Sequence, residues 1–121
     1  MDSTEVSRAY FYAQQNLHNQ EINLANAKVV LNEFQESGFS LGPERQLRAT
    51  VLAQKIADEK DLYDEKLEEL GDIALELIEE ILENGGNIGE EVRFEMGEGR
   101  YFKVILEKGN NLTYLGSFSE L

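Results

Sequence analysis

The residues of this chain best suited to chemistry are carboxylates, and most of them lie in one stretch. Between positions 58 and 83 stand Asp58, Glu59, Asp61, Asp64, Glu65, Glu68, Glu69, Asp72, Glu76, Glu79, Glu80 and Glu83, against only Lys60 and Lys66. Three roles fit such a density. It can be a solvated face that keeps a small protein soluble. It can dock a basic partner, or imitate the phosphate spacing of a nucleic acid. It can also present oxygen ligands to a hard divalent cation. Carboxylates on one helix cannot follow the axial charge spacing of duplex DNA, about 1.7 Å, one for one, so a mimic would need a second acidic helix.

Within this stretch, Glu68-Glu69-Leu70-Gly71-Asp72-Ile73-Ala74 resembles one half of the acidic motif of the all-α MazG-type nucleotide pyrophosphohydrolases. The resemblance implies magnesium held by carboxylates from two helices. It covers about seven residues of the 121. The motif's other half, a Glu-Glu-x-x-Glu helix upstream, has no counterpart: Glu44 is the sole acid in 41–57, and Glu33 and Glu36 have the wrong spacing. Acidic pairs one helical turn apart are also common on solvated helices.

Other candidate chemistry is sparse. His18 is the single histidine, on a polar flank between Leu17 and Asn19, and reads as a surface residue. There is no cysteine, so neither disulfides nor thiolate chemistry contribute. Gly85, Gly86 and Gly89 are not followed by the lysine or the Ser/Thr-led helix of a phosphate-cradling loop. Phe94, Tyr101, Phe102, Tyr114 and Phe118 are types that stack on bases in single-strand binders. Only Arg93, Arg100, Lys103 and Lys108 accompany them, so core and sheet packing is the expectation. No catalytic residue, metal site or cofactor is expected.

The charge balance narrows the partners. With 24 acids against 11 bases the formal charge is -13. Direct contact with nucleic acid, or with an anionic membrane surface, is disfavoured. A partner with a basic surface is favoured. Met1–Glu5 have no basic or apolar segment of a secretory signal, and no apolar run approaches bilayer length, which predicts a cytoplasmic protein. Asn111-Leu112-Thr113 matches a glycosylation sequon and reads as a turn in that setting.

The elements that must position these residues follow from periodicity. Tyr10, Ala13, Leu17, Leu24, Ala27, Leu31 and Phe34 recur in steps of three and four, with Gln20 as the one polar step. No proline or glycine interrupts residues 4–37, so one long helix is expected there. Gly38 suits its end and Pro43 the first turn of the next helix. Ala49, Leu52, Ile56, Tyr63, Leu67, Leu70, Ala74, Leu77 and Ile81 continue the pattern over 43–84. Gly71, costing about 1 kcal/mol relative to alanine, marks a candidate division into helices 43–69 and 72–84. The short connection makes the two helices antiparallel neighbours. After Asn84–Gly89 the period changes to two, and three segments across 91–119 predict an antiparallel meander.

The expected architecture is therefore α+β: one domain over 1–121, a long antiparallel helical hairpin followed by a three-stranded antiparallel meander. Beyond its seam, the first helix carries Phe11, Tyr12, Ile22, Val29 and Val30, more apolar surface than one partner helix covers. Either the meander packs there, or a second copy does, giving a four-helix bundle through the first helices. The leading functional reading is a non-enzymatic protein–protein interaction, scaffold or regulatory module, homodimeric through its helical hairpin and biased to basic partners by its acidic face. The alternative is an acidic nucleic-acid mimic that inhibits a DNA- or RNA-processing enzyme. A carboxylate- and magnesium-dependent nucleotide hydrolase ranks third.

Overall fold

The computed structural model describes residues 3–36 and 42–120. Its elements are α1 (Ser3–Glu36), α2 (Pro43–Glu83), β1 (Glu91–Gly97), β2 (Arg100–Glu107) and β3 (Asn111–Ser119), the expected helical hairpin and meander. The anticipated helix end at Gly38 lies outside the described residues. α2 opens on its proline and runs unbroken for 41 residues, so Gly71 does not divide it. The physical reason is that one exposed glycine costs about 1 kcal/mol, less than the loss of the hydrogen bonds a break would entail. No helix among the described residues is long and apolar enough to cross a membrane.

The chain falls into two compact units, one built from residues 1–14 with 69–121, the other from 15–68. In the first, the sheet has the order β1-β2-β3, with both pairings antiparallel. Glu98 and Gly99, both at positive φ, form the two-residue turn between β1 and β2, the backbone that matches strand twist. Gly109 and Asn110, also at positive φ, close the β2–β3 connection. Strand alternation sends Phe94, Met96, Phe102, Val104 and Leu106 to one face, where they pack with Val6, Tyr10, Phe11, Leu77, Ile78 and Ile81. Phe102 lies at the centre, its ring centroid 5.3 Å from Tyr10, 5.5 Å from Phe94 and 6.0 Å from Tyr114.

The end of α2 is closed by hydrogen bonding to its own last turn. Gly85, at φ 77°, lets its N–H donate to Leu82 O at 3.2 Å, and the Gly86 N–H donates to Ile81 O at 2.8 Å. This paired 5→2 and 6→1 arrangement satisfies two helix-end carbonyls. It also leads the chain directly from buried Ile81 towards β1. Arg8 ties α1 to the same sheet, its Nε donating to Met96 O at 2.7 Å.

One strand departs from simple alternation. Lys103 faces Gly116 while Val104 faces Tyr114, which leaves Leu115 as an extra residue on β3. Gly116 at φ 134° accommodates this bulge. The bulge reverses the facing of the residues after it. Phe118 therefore packs on the outer sheet face across from Tyr101 and not in the core, and it is 44% exposed.

Candidate functional site: a helical hairpin with an exposed flank

Residues 15–68 carry exposed apolar side chains on both helices, among them Ile22, Val29, Leu47 and Leu62. On α1 the inner positions are Leu17, Gln20, Leu24, Ala27, Leu31 and Phe34, as the three-and-four spacing requires. On α2 the half-buried positions in this unit are Arg45, Ala49, Leu52, Ile56, Glu59, Tyr63 and Lys66. The pairing is antiparallel, with Gln20 opposite Glu59 and Phe34 opposite Arg45. Leu67 was expected on this seam. The step of three from Tyr63 brings Lys66 inward instead and leaves Leu67 46% exposed.

Polar groups fix the register. Buried Gln20 donates through Nε2 to Glu59 O at 2.9 Å and to Glu59 Oε2 at 2.5 Å. Lys55 Nζ lies 3.4 Å from the other Glu59 carboxylate oxygen. Such a layer discriminates among sliding registers, because any other alignment would leave buried Gln20 without its acceptor. Towards the loop, Arg45 stacks over Phe34 at 5.0 Å. Its Nη2 donates to the Phe34 and Gln35 carbonyls at 3.3 and 3.0 Å. α1 has no basic residue in its own last turn, so Arg45 supplies positive charge to that helix end from across the hairpin.

The hairpin leaves one side open. Asn23, Asn26, Ala27, Val30, Leu52, Lys55 and Glu59 line a groove of about 200 Å³ there. Among the described residues of this unit only Leu17, Gln20 and Ala27 are buried, and no α2 residue from Pro43 to Glu68 is. Ile22, Val29, Val30, Leu47, Val51, Leu62 and Leu67 are all exposed. Two helices cover one stripe of each other and no more, so the remaining apolar side chains face water.

Of the residues expected to pack helices or copies together, Leu17 is buried on the seam and Leu24 and Leu31 are half-buried on it. Ile22, Val29 and Val30 stay outside. In the sheet-containing unit Phe11 is buried in the core, where Arg100 approaches its ring at 5.7 Å, whereas Tyr12 is 58% exposed. Sequence reasoning missed Leu47, Val51 and Leu62. Their signal was a second three-and-four series on α2, running beside the first and diluted by charged residues.

The acidic residues lie largely in solvent. In the hairpin unit Asp58, Asp61, Asp64, Glu65 and Glu68 are exposed. In the sheet-containing unit Glu69, Asp72, Glu76, Glu79 and Glu83 are exposed and Glu80 is half-buried. Among the described residues no group of three or more His, Cys, Asp or Glu converges to hold a metal ion. His18 is exposed beside Glu21, 3.9 Å away one turn on.

Two further surfaces belong to the sheet-containing unit. A cleft of about 380 Å³ is bounded by Thr4, Ile81, Gly86, Val92 and Arg93, among others. On the outer sheet face Tyr101 and Phe118 stack at 5.5 Å. Arg93 lies 3.6 Å over Tyr101 and Lys103 lies 5.5 Å from the Phe118 ring. Arg93 also bonds Glu95 at 2.5 Å and pairs with Glu120. Glu95 first, then Glu120, holds that guanidinium charged well above its usual range. These carboxylates screen the cation that a base-stacking platform would present to phosphate. No protein-family model matches the chain, and neither a curated protein nor a solved structure does.

Proposed function

We propose that the chain is a non-enzymatic protein–protein interaction module, cytoplasmic and homodimeric, that scaffolds or regulates a partner through its helical hairpin. The observation that supports this most directly is the lack of any buried α2 residue between Pro43 and Glu68, beside exposed Leu47, Val51 and Leu62. A two-helix hairpin with that exposure gains stability by burying its flank against further helices. The polar layer at Gln20 and Glu59 keeps the two helices in one register, so the flank presents a fixed pattern.

The test is affinity capture by the full chain from native lysate, washed at low and high salt, beside sedimentation of the purified protein. Apolar helix packing resists salt, so a salt-resistant partner or self-association is expected. Both should be lost when Leu47, Val51 and Leu62 are changed to Ser together. A chain that is monomeric at high micromolar concentration and captures nothing above background refutes the module. The exposed carboxylates of α2 support the second reading, an acidic mimic of nucleic acid. Capture of a nucleic-acid-processing enzyme that elutes steeply with salt would favour it.

A further inference from the structure

The exposed flank of α2 carries its own seam. Arg48, Val51, Lys55, Asp58, Leu62 and Glu65 follow one another in strict alternation of three and four residues, and all six are exposed. That spacing places them on one stripe of the helix. Lys55 also lines the groove beside α1, which sets this stripe on the open side of the hairpin. Read from its midpoint between Lys55 and Asp58, the stripe is a charge-inverted palindrome. Base, apolar, base on one side answer acid, apolar, acid on the other.

A sequence of this kind complements itself when two copies run antiparallel about a two-fold axis, because an isologous contact pairs each position with its mirror. We infer that the hairpin docks against a second copy of this chain along the α2 stripe, antiparallel, with the axis between Lys55 and Asp58. This rests on the module reading above. Arg48 then meets Glu65 of the second copy, Val51 meets Leu62, and Lys55 meets Asp58, each twice.

The charge along the hairpin selects that orientation. Residues 27–36 with 43–57, near the loop, carry four bases and three acids. Residues 15–26 with 58–68 carry seven acids and two bases. A parallel pair would set the two acidic ends side by side, whereas an antiparallel pair sets each against a basic one. Lys55 reaches Glu59 at 3.4 Å and Gln54 Nε2 donates to Asp58 Oδ1 at 2.9 Å within the helix. These contacts are exposed, worth little, and do not withhold either side chain from a partner.

The experiment is sedimentation equilibrium of the full chain as wild type, as Arg48→Glu, as Glu65→Arg, and as an equimolar mixture of the two variants. Wild type should dimerise. Each reversal sets like charges opposite each other twice, so its dissociation constant should rise by about tenfold or more. In the mixture the reversed residues face each other while the native pair is kept, so a heterodimer as tight as wild type should form. That rescue also shows the variants are folded. A dimer indifferent to both reversals, or a mixture that does not recover, overturns the antiparallel stripe. If the Leu47, Val51 and Leu62 to Ser variant is then still monomeric, the module survives with this face paired in another register or orientation. A monomeric wild type overturns the stripe as well, and salt-resistant capture of another protein would separate that result from failure of the module.

Discussion

Gly71 offers a direct measurement of whether α2 is one helix. It lies in the interior of the 41-residue span and is exposed, and a Cβ built on it meets nothing within 4 Å. Gly71→Ala therefore adds no clash and removes conformational freedom from the unfolded chain. The helix-propensity difference between the two residues is about 1 kcal/mol in a helix interior. With an unfolding entropy of about 2.1 cal/mol/K per residue over 121 residues, that corresponds to a rise in Tm of about 4 °C.

The assay is urea and thermal unfolding followed by far-ultraviolet circular dichroism. The midpoint should rise with an unchanged urea slope, since no surface is added or removed. Gly71→Pro supplies the opposite arm. In a continuous helix it removes a hydrogen bond and clashes with the preceding turn, for a loss of about 3 kcal/mol or more. Were the chain instead two helices meeting near residue 71, proline at the start of the second would be accepted. Alanine that destabilises, or proline that is tolerated, refutes the unbroken helix.

The helix end, the core and the polar layer give three further outcomes. Gly86→Ala places a Cβ 2.5 Å from Ile81 Cγ2 and 3.0 Å from Ile81 O, so the closing turn must shift. Overpacking of this kind costs about 1–3 kcal/mol, read as a lower urea midpoint. Burial first, and Tyr114 second, pushes the Tyr10 phenol up to about 12 from its ordinary 10.0. The unfolded chain then loses its proton first, so stability is full below pH 10 and falls as pH rises towards 12. The limit is about 2–3 kcal/mol, and Tyr10→Phe should flatten the profile in denaturant titrations between pH 9 and 12. Gln20→Ala strips the Glu59 carboxylate of its buried donor and should cost about 1–3 kcal/mol. Replacing both Gln20 and Glu59 by Leu should recover that loss in the same unfolding assay, because no unpaired polar group is then left on the seam.

Much of this fold was legible because its periods are clean. Three-and-four spacing located the inner face of α1 from Tyr10 to Phe34, including Gln20 as the polar step. The change to period two after Asn84–Gly89 located the sheet. What sequence left undecided were events of single residues. Gly71 looks like a breaker in isolation, but the helix bonds on either side of it decide the outcome. Leu67 looks like a seam residue because it is apolar, yet the step that follows Tyr63 puts Lys66 inside. Phe118 looks like core, and one extra residue at Leu115 turns it outward. The exposed stripe from Arg48 to Glu65 was harder to see, since four of its six members are charged. An apolar count passes over it, while a reading of charge order along the same period does not.

The two units of the chain reach stability by different routes, and the difference bears on function. The sheet-containing unit buries Phe102, Val104, Leu106 and Leu77 almost completely, and one aromatic cluster there satisfies both sheet face and helices. Among the described residues, the hairpin unit buries three, one of which is Gln20. Its helices are specified in register more strongly than they are stabilised in contact, because a buried polar layer favours one alignment at some cost in net stability. A hairpin held in fixed register with an uncovered apolar and charge-ordered side is poorly suited to stand alone. Association would bury Val51 and Leu62 and set Arg48 and Lys55 against carboxylates, gains that solvated acidic residues alone do not offer.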